Sequence, residues 1–409
     1  MAGNGAPPSA AAAAASISAV LGDDDLLVEI LLRVSFPTTL VRAALACKRW
    51  LSHARAPAFL RRFRRLHPPR HLGFYISTMG SHNRRFVPLP QPPELATVVL
   101  RGSFDLGTLQ HDSHVLSVRC CNGLLLLTTH RYPEDPRRTK VLCPLHPARY
   151  TAILPAVPDT SVHDASLHYD ENSGQILHND GDGSDAASYF YLTTVVKQQQ
   201  TIIDVYALRD GLWGIYSSVV SEIPKIHLML PSLLGDDKIY NAAFVNNTYK
   251  LVVLDLLSSS MSIVNFPEEV EHLLYARLSL ADDSGVYLTR VKGFQLRIWL
   301  YKRDNNGVPN WSLVDTICLR EICANHMIPT CMSEDVDDHI FEIQAVGVNS
   351  EIVYMEMNGV LYQFDIKNKA AKKVYEITQE DTLVLSVTPF MIAWPPKFPV
   401  VKDGCDPKE

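Results

Sequence analysis

Cys318, Cys323, His326 and Cys331 come closest to a metal site among the residues of this chain, because thiolates and an imidazole are ligands that tetrahedral zinc takes. Their spacing matches no zinc module, and free cysteines are as readily small buried hydrophobes. Asp180-x-Asp182 starts like a calcium loop, yet the sixth position is Asp185 where glycine is needed and the twelfth is Tyr191 where a bidentate glutamate is needed. Cys120 and Cys121 are sequence neighbours, so a bridge between them would be strained and core packing is the expected use. The chain has no P-loop, no GxGxxG turn, no HExxH and no GxSxG elbow. A pair of carboxylates for glycoside hydrolysis is conceivable among so many acids, but the repeated Asp-box of sialidases is missing. These residues assign no catalytic, cofactor-binding or metal-binding position.

The bulk properties describe a globular protein of more than one part. With 409 residues, 47% hydrophobic and 20% charged, the chain exceeds the size at which one ordinary core keeps growing. Charge is unevenly spread: residues 1–70 hold ten Lys/Arg against four Asp/Glu, leaving 28 against 40 for the remainder. The surplus lies mostly in Arg55, Arg61, Arg62, Arg64, Arg65 and Arg70, and with no aromatic platform or recognition motif beside it the reading is a solvated helix face, not a nucleic-acid contact. Eight scattered cysteines and no secretory signal point to reduced thiols and a cytoplasmic or nuclear location. Residues 1–20 read as a disordered Ala-rich leader and 397–409 as a flexible tail. No apolar run has the length of a membrane span.

Residues 21–70 carry helical periodicity. Asp23, Asp24 and Asp25 offer N-cap oxygens, and Leu26, Leu27, Ile30, Leu31 and Val34 follow on one stripe. Pro37 breaks that helix, and Thr38 or Thr39 is placed to cap a second one carrying Leu40, Ala43, Ala44, Cys47, Trp50 and Leu51. Pro57 suits the first turn of a third, with Phe59, Leu60, Phe63 and Leu66 between arginines. Three such short helices make a marginal core, so the segment is expected to dock on a partner.

This run, with LVRAALACKRW followed by PAFLRRF, resembles the F-box of plant proteins. The resemblance implies docking to the Skp-type adaptor of a cullin-RING ubiquitin ligase. It implies an adaptor-facing set of Leu21, Leu26, Ile30, Leu31, Leu40, Val41, Cys47 and Trp50. One departure is that Leu21 precedes Gly22 where the family has proline, which removes a fixed φ from the turn into the first helix.

From about residue 71 to 396 the periodicity changes to short apolar strands separated by turn residues. Strands are expected at 72–77, 97–100, 115–119, 124–129, 141–142, 189–195, 202–208, 242–245, 250–255, 261–265, 285–291, 295–301, 340–348, 352–357 and 360–365. Asn358-Gly359 between two of them is a strong hairpin signal. A weak repeat of roughly forty to sixty residues favours a propeller over a sandwich or barrel. Phrases such as Val205-Tyr206 with Gly211 and Trp213 resemble the F-box-associated β-propellers of plants, which implies five to seven blades, with six chosen here. The aromatic residues are read as packing between blades. Loops 131–140, 179–188 and 331–339 break the pattern and are candidate recognition segments.

The sequence thus specifies an α+β multidomain chain: a small N-terminal three-helix F-box over 21–70, then an all-β propeller-like domain of about six blades over 71–396. The implied function is a non-catalytic substrate receptor of a Skp-cullin-F-box ligase, with no cofactor, no nucleic acid and no membrane, and with an unknown target protein. The alternatives are a propeller scaffold outside any ligase and, behind it, a propeller hydrolase.

Overall fold

The computed structural model describes residues 10–34, 37–67, 69–79, 84–107, 114–121, 123–130, 138–145, 151–158, 174–179, 189–197, 199–223, 226–229, 231–270, 273–281, 285–303, 309–325, 341–347, 350–378, 381 and 383–392. It forms two compact units, one built on the N-terminal helices and one on His71–Met391.

The helical unit contains α1 (Ala10–Gly22), α2 (Asp24–Leu32), α3 (Pro37–Ala44), α4 (Lys48–Arg55) and α5 (Pro57–Leu66). Asp23 is the N-cap of α2, its carboxylate accepting from the backbone N–H groups of Asp25 and Leu26. Proline occupies the first turn of α5, where its missing N–H costs nothing. Leu27, Leu31 and Leu32 of α2, Leu40 and Ala44 of α3, Ala54 of α4, and Phe59 and Phe63 of α5 form the core.

Two expectations are corrected here. Residues 10–22 of the Ala-rich leader are helical, consistent with alanine having the highest helix propensity. The expected second helix is two, α3 starting already at Pro37: the chain turns at Leu45 and Ala46, and Cys47, in extended geometry, is the N-cap of α4 without a side-chain bond. Nothing in the Ala43-Ala44-Leu45-Ala46 run breaks a helix by propensity, so the turn is imposed by packing.

The second unit is a six-bladed β-propeller. Its strands are β1 (Arg70–Met79), β2 (Arg85–Pro88), β3 (His114–Cys121), β4 (Leu124–His130), β5 (Arg138–Leu142), β6 (Thr151–Ile153), β7 (Gln175–His178), β8 (Tyr189–Lys197), β9 (Gln200–Arg209), β10 (Leu212–Ser221), β11 (Ile226–Leu228), β12 (Leu233–Gly235), β13 (Lys238–Val245), β14 (Thr248–Asp255), β15 (Ser260–Asn265), β16 (Ala276–Leu280), β17 (Val286–Lys292), β18 (Gln295–Arg303), β19 (Pro309–Cys318), β20 (Glu342–Val346), β21 (Ile352–Met357), β22 (Val360–Asp365), β23 (Ala370–Glu376) and β24 (Leu383–Ile392). Five sheets run in chain order, β3 to β6, β7 to β10, β11 to β15, β16 to β19 and β20 to β23; in the third of these the first position is shared by β11 and β12, both paired with β13. The sixth sheet closes the ring by joining β24 to β1 and β2, so strands from opposite ends of the unit share one blade.

Alternation along the strands explains why the core lies between blades. β9 buries every second residue, and its buried Ile203, Val205 and Ala207 pack with Ile239, Ala243 and Val252 of the next blade. Equivalent apolar layers fill the successive junctions, ending with Phe74, Ile76, Tyr354, Leu361 and Val384 between the blade of β20 to β23 and the closing one. Left-handed pairs form the tight hairpins: Asn358-Gly359, Asn246-Asn247, Asp210-Gly211 and Asp236-Asp237 all have positive φ at both positions, the geometry that matches strand twist.

The strand expected at 97–100 is instead part of a helix, α6 (Pro93–Arg101). Pro93 presets helical φ in the first turn, and the Thr97 hydroxyl donates to the Pro93 carbonyl, so the β-branched run Thr97-Val98-Val99 is overridden by what precedes it. A last helix, α7 (Leu319–Asn325), follows β19.

Candidate functional site

The expected adaptor-facing residues separate into two groups in the structure. Leu31 and Leu40 are 1% and 0% exposed and form part of the bundle core. Leu21 and Trp50 pack partly against that core, and Val41 is half-buried. Leu26 and Ile30 lie one helical turn apart on α2 and are 47% and 39% exposed, and Cys47 is also exposed. Leu27 and Leu31, one position further along, point inward. The helix thus has an inner stripe satisfied by its own unit and an outer one that is not.

Leu45 was missed by sequence reasoning because it seemed to sit inside a helix. At the turn between α3 and α4 it is 71% exposed, two residues before exposed Cys47. Ile17 and Val20 of α1 are exposed as well. These exposed aliphatic side chains stand against a core of eight buried apolar residues among those described in this unit.

A charged clamp ties α4 to the junction of α1 and α2. The Arg49 guanidinium donates to the Asp24 carboxylate at 2.7 Å and to the carbonyls of Leu21 and Gly22 at 2.8 Å each. Those carbonyls end α1, where helical acceptors are otherwise unmatched. His53 Nε2 lies 3.0 Å from the same Asp24 oxygen. Arg49 first, then His53, hold the Asp24 carboxyl below its usual range. The turn at Gly22 is therefore secured from α4. On the opposite flank Arg62 of α5 pairs with Glu29 of α2, and His67 Nε2 meets the Leu32 carbonyl at 2.8 Å. One member of the basic run thus makes an internal ion pair; the side chains of Arg61, Arg64 and Arg65 lie outside the described residues.

In the propeller the recurring aromatics tie blades together. Trp213, on the outer strand β10, donates from Nε1 to the Pro155 carbonyl just past β6, at 3.1 Å. Trp311 on β19 repeats this, donating to the Asn265 carbonyl at the end of β15 at 3.0 Å, with its ring 5.2 Å from that of Tyr301. Polar side chains bridge inner strands: Arg119 of β3 donates to the Ile176 and Ser232 carbonyls at 3.1 and 2.7 Å, and Ser232 N–H donates to Gln175 Oε1 at 2.9 Å. Ser279, Thr289 and Ser350 form a buried hydroxyl cluster.

No cluster of His, Cys, Asp or Glu able to hold a metal exists among the described residues. Cys323 is fully buried and Cys318 exposed, while His326 and Cys331 lie outside the described residues. Of the three candidate recognition loops, 131–137, 180–188 and 331–339 also lie outside them, and 138–140 belong to β5. No described helix is long and apolar enough to cross a membrane.

No curated protein matches the sequence. Solved structures similar to the chain include the GH93 alpha-L-arabinofuranosidase of Fusarium graminearum in complex with arabinobiose, at 13% identity and TM-score 0.33, covering 62% of this chain and 78% of that one. A protein from Lactobacillus plantarum is similar at 9% identity and TM-score 0.35, covering 78% and 83%. Oligopeptidase B from Leishmania major is similar at 9% identity and TM-score 0.33, covering 75% and 48%. Residues 117–398, more than half of the chain, match the family described as F-box protein AT5G49610-like, beta-propeller. The chain belongs to the AT5G49610-like F-box protein family, whose beta-propeller it carries.

Proposed function

We propose that this chain is the substrate receptor of a Skp-cullin-F-box ubiquitin ligase, its helical unit binding the adaptor and its propeller binding a target protein. The observation that carries the reading is the outer aliphatic stripe of Leu26 and Ile30, with Leu45 and Cys47 exposed nearby in sequence, on a helical unit joined to a propeller of an F-box family. Catalysis belongs to the charged enzyme that the ligase recruits. The receptor supplies proximity, which makes transfer to a target lysine effectively intramolecular.

The test is co-expression of the full chain with a Skp-type adaptor, followed by size-exclusion chromatography. Wild type is expected to elute as a stoichiometric complex, and Leu26→Asp combined with Ile30→Asp as free, folded protein. Both positions are exposed, so the double variant keeps the bundle core intact, which Leu31→Asp would not. Co-elution undiminished by the double substitution contradicts the reading.

A further inference from the structure

We infer that the outer edge of β10 takes an extended, uncharged segment of the target protein as an added strand, with aliphatic side chains of that segment beside Val220 and Ile215. The inference rests on the receptor reading for the occupant being a target and on the propeller alone for its geometry.

The six sheets end in β2, β6, β10, β15, β19 and β23. A strand at the end of a sheet leaves a row of backbone N–H and C=O groups open to another chain, and proteins block such edges with short strands, prolines or charges. β6 has three residues, and β2 has four, among them Arg85 and Pro88. β19 starts at Pro309 and carries exposed Asp315, and β23 carries exposed Lys372, Lys373 and Glu376. β15 has neither proline nor charge, but its Met261, Ile263 and Val264 are half-buried and it exposes only Ser260, Ser262 and Asn265. β10 is ten residues long with no proline and no charged residue, and its Leu212, Ile215 and Val220 are 75%, 65% and 56% exposed. Among the described residues its backbone pairs with β9 alone.

The register of β10 on β9 shows what an added strand meets. Ser217 to Ser221 pair without interruption with Val205 to Thr201. Ser218 and Val220 stand opposite Asp204 and Ile202, on the same face as Ile215 opposite Tyr206. A residue directly across from Val220 on an added strand has its Cβ about 5 Å away. Tyr216 is the extra residue of a β-bulge, since Ile215 pairs with Tyr206 and Ser217 with Val205. That bulge is held in place: the Tyr216 ring lies 5.4 Å from that of Phe190, and the Arg209 guanidinium lies 5.6 Å from its centre. The edge is thus preformed, which lowers the ordering cost of binding.

Composition and register select the occupant. β10 brings no charge to the edge, and Asp204 on this face already accepts from the Ser218 hydroxyl at 2.6 Å. A charged side chain laid beside Val220 would lose water without gaining a partner, whereas an aliphatic one gains contact. A second copy of β10, paired about a two-fold axis, would set Leu212 against Ser221 and bring the two bulges together at the centre of the ladder. A segment of another protein avoids that conflict by pairing with Ser217 to Ser221 alone. Strand addition of this kind draws affinity from main-chain hydrogen bonds and specificity from alternate side chains.

The experiment is selection of a displayed library of random linear peptides on the full chain, prepared with co-expressed adaptor, followed by affinity measurement of the enriched peptides. Enrichment of uncharged peptides with aliphatic residues at alternate positions is expected, with affinity falling about tenfold or more on Val220→Lys or Ile215→Lys. Both positions are exposed, so both variants keep the fold, which circular dichroism checks. Methylating the backbone nitrogens of alternate residues in an enriched peptide separates strand addition from side-chain contact. In an added strand one alternate set of N–H groups faces β10 and the other faces away, so methylation of one set abolishes binding and methylation of the other is tolerated. Enrichment of no peptide, binding unaltered by both substitutions, or equal effects of methylation in the two sets would overturn the inference. Adaptor co-elution is read on the same preparations: adaptor retained with no edge-dependent peptide binding sinks the edge alone, and adaptor lost with peptide binding retained sinks the receptor reading alone.

Discussion

Arg49 restrains the turn at Gly22 in the helical unit. Three of its hydrogen bonds converge on the junction of α1 and α2, so the guanidinium restricts a turn that Gly22 leaves free. Arg49→Gln should lower the thermal midpoint of the helical unit, whereas Gly22→Ala should not, because a Cβ there meets open space. Circular dichroism melts compare the two. Buried polar groups in the propeller make a second prediction. Tyr354 is 0% exposed, and its hydroxyl has no hydrogen-bond partner among the described residues. Tyr354→Phe should therefore be neutral or stabilise by about 1 kcal/mol in chemical denaturation. Near it, burial brings His71 from 6.5 down to about 4, so the folded protein keeps the ring neutral where the unfolded chain protonates it. The unfolded state binds more protons between these values, so stability is full above about pH 6.5 and declines as pH falls toward 4. The decline should amount to roughly 2–3 kcal/mol from this group and should flatten in His71→Gln.

At the scale of elements, the ring is closed by a buried carboxylate. Asp381 accepts from the hydroxyls of Thr78 on β1 and Tyr375 on β23 and from Arg85 on β2, whose guanidinium also lies 5.0 Å from the centre of the Tyr375 ring. The Thr78 hydroxyl first, and then Arg85, hold its carboxyl below the ordinary range. Its contribution is present above the unfolded carboxylate value and lost as pH falls through the lowered one. Asp381→Asn should speed amide exchange in β1, β2 and β24 more than in other strands; equal acceleration everywhere would deny it a closing role. Trp213→Phe and Trp311→Phe should each cost about 1 kcal/mol for the lost indole bond and add when combined, because they sit in separate junctions. Gly285 has φ of +109°, and a Cβ there would lie 2.2 Å from the Tyr301 carbonyl, so Gly285→Ala should cost about 3 kcal/mol or prevent folding.

These elements show what a sequence can and cannot convey. The hairpin at 358–359 was legible because Asn and Gly admit positive φ, and strands such as Ile352–Met357 because alternation is local. Short or exposed strands such as β6, β11 and β19 carry weak signals, and none of them was among the expected strands. The helix Pro93–Arg101 hid behind a β-branched run, and the break at Leu45 behind four good helix formers. The outer stripe of α2 was half legible: periodicity finds Leu26, Ile30 and Leu31 together, but only packing tells which of them faces inward.

At the scale of the whole molecule, two units of different build divide the work. The helical unit has a small core and exposed aliphatic residues, and the propeller has apolar layers between blades. Substitutions in one unit should leave the fold of the other intact, which circular dichroism melts of each variant check. The central claim is that the outer face of the helical unit meets a Skp-type adaptor, and amide hydrogen exchange of the full chain with and without adaptor tests it most directly. The account predicts new protection in peptides covering Leu26 to Ile30 and Leu45 to Trp50, with propeller peptides unchanged. Protection absent from those helical peptides, or confined to the propeller, would contradict it.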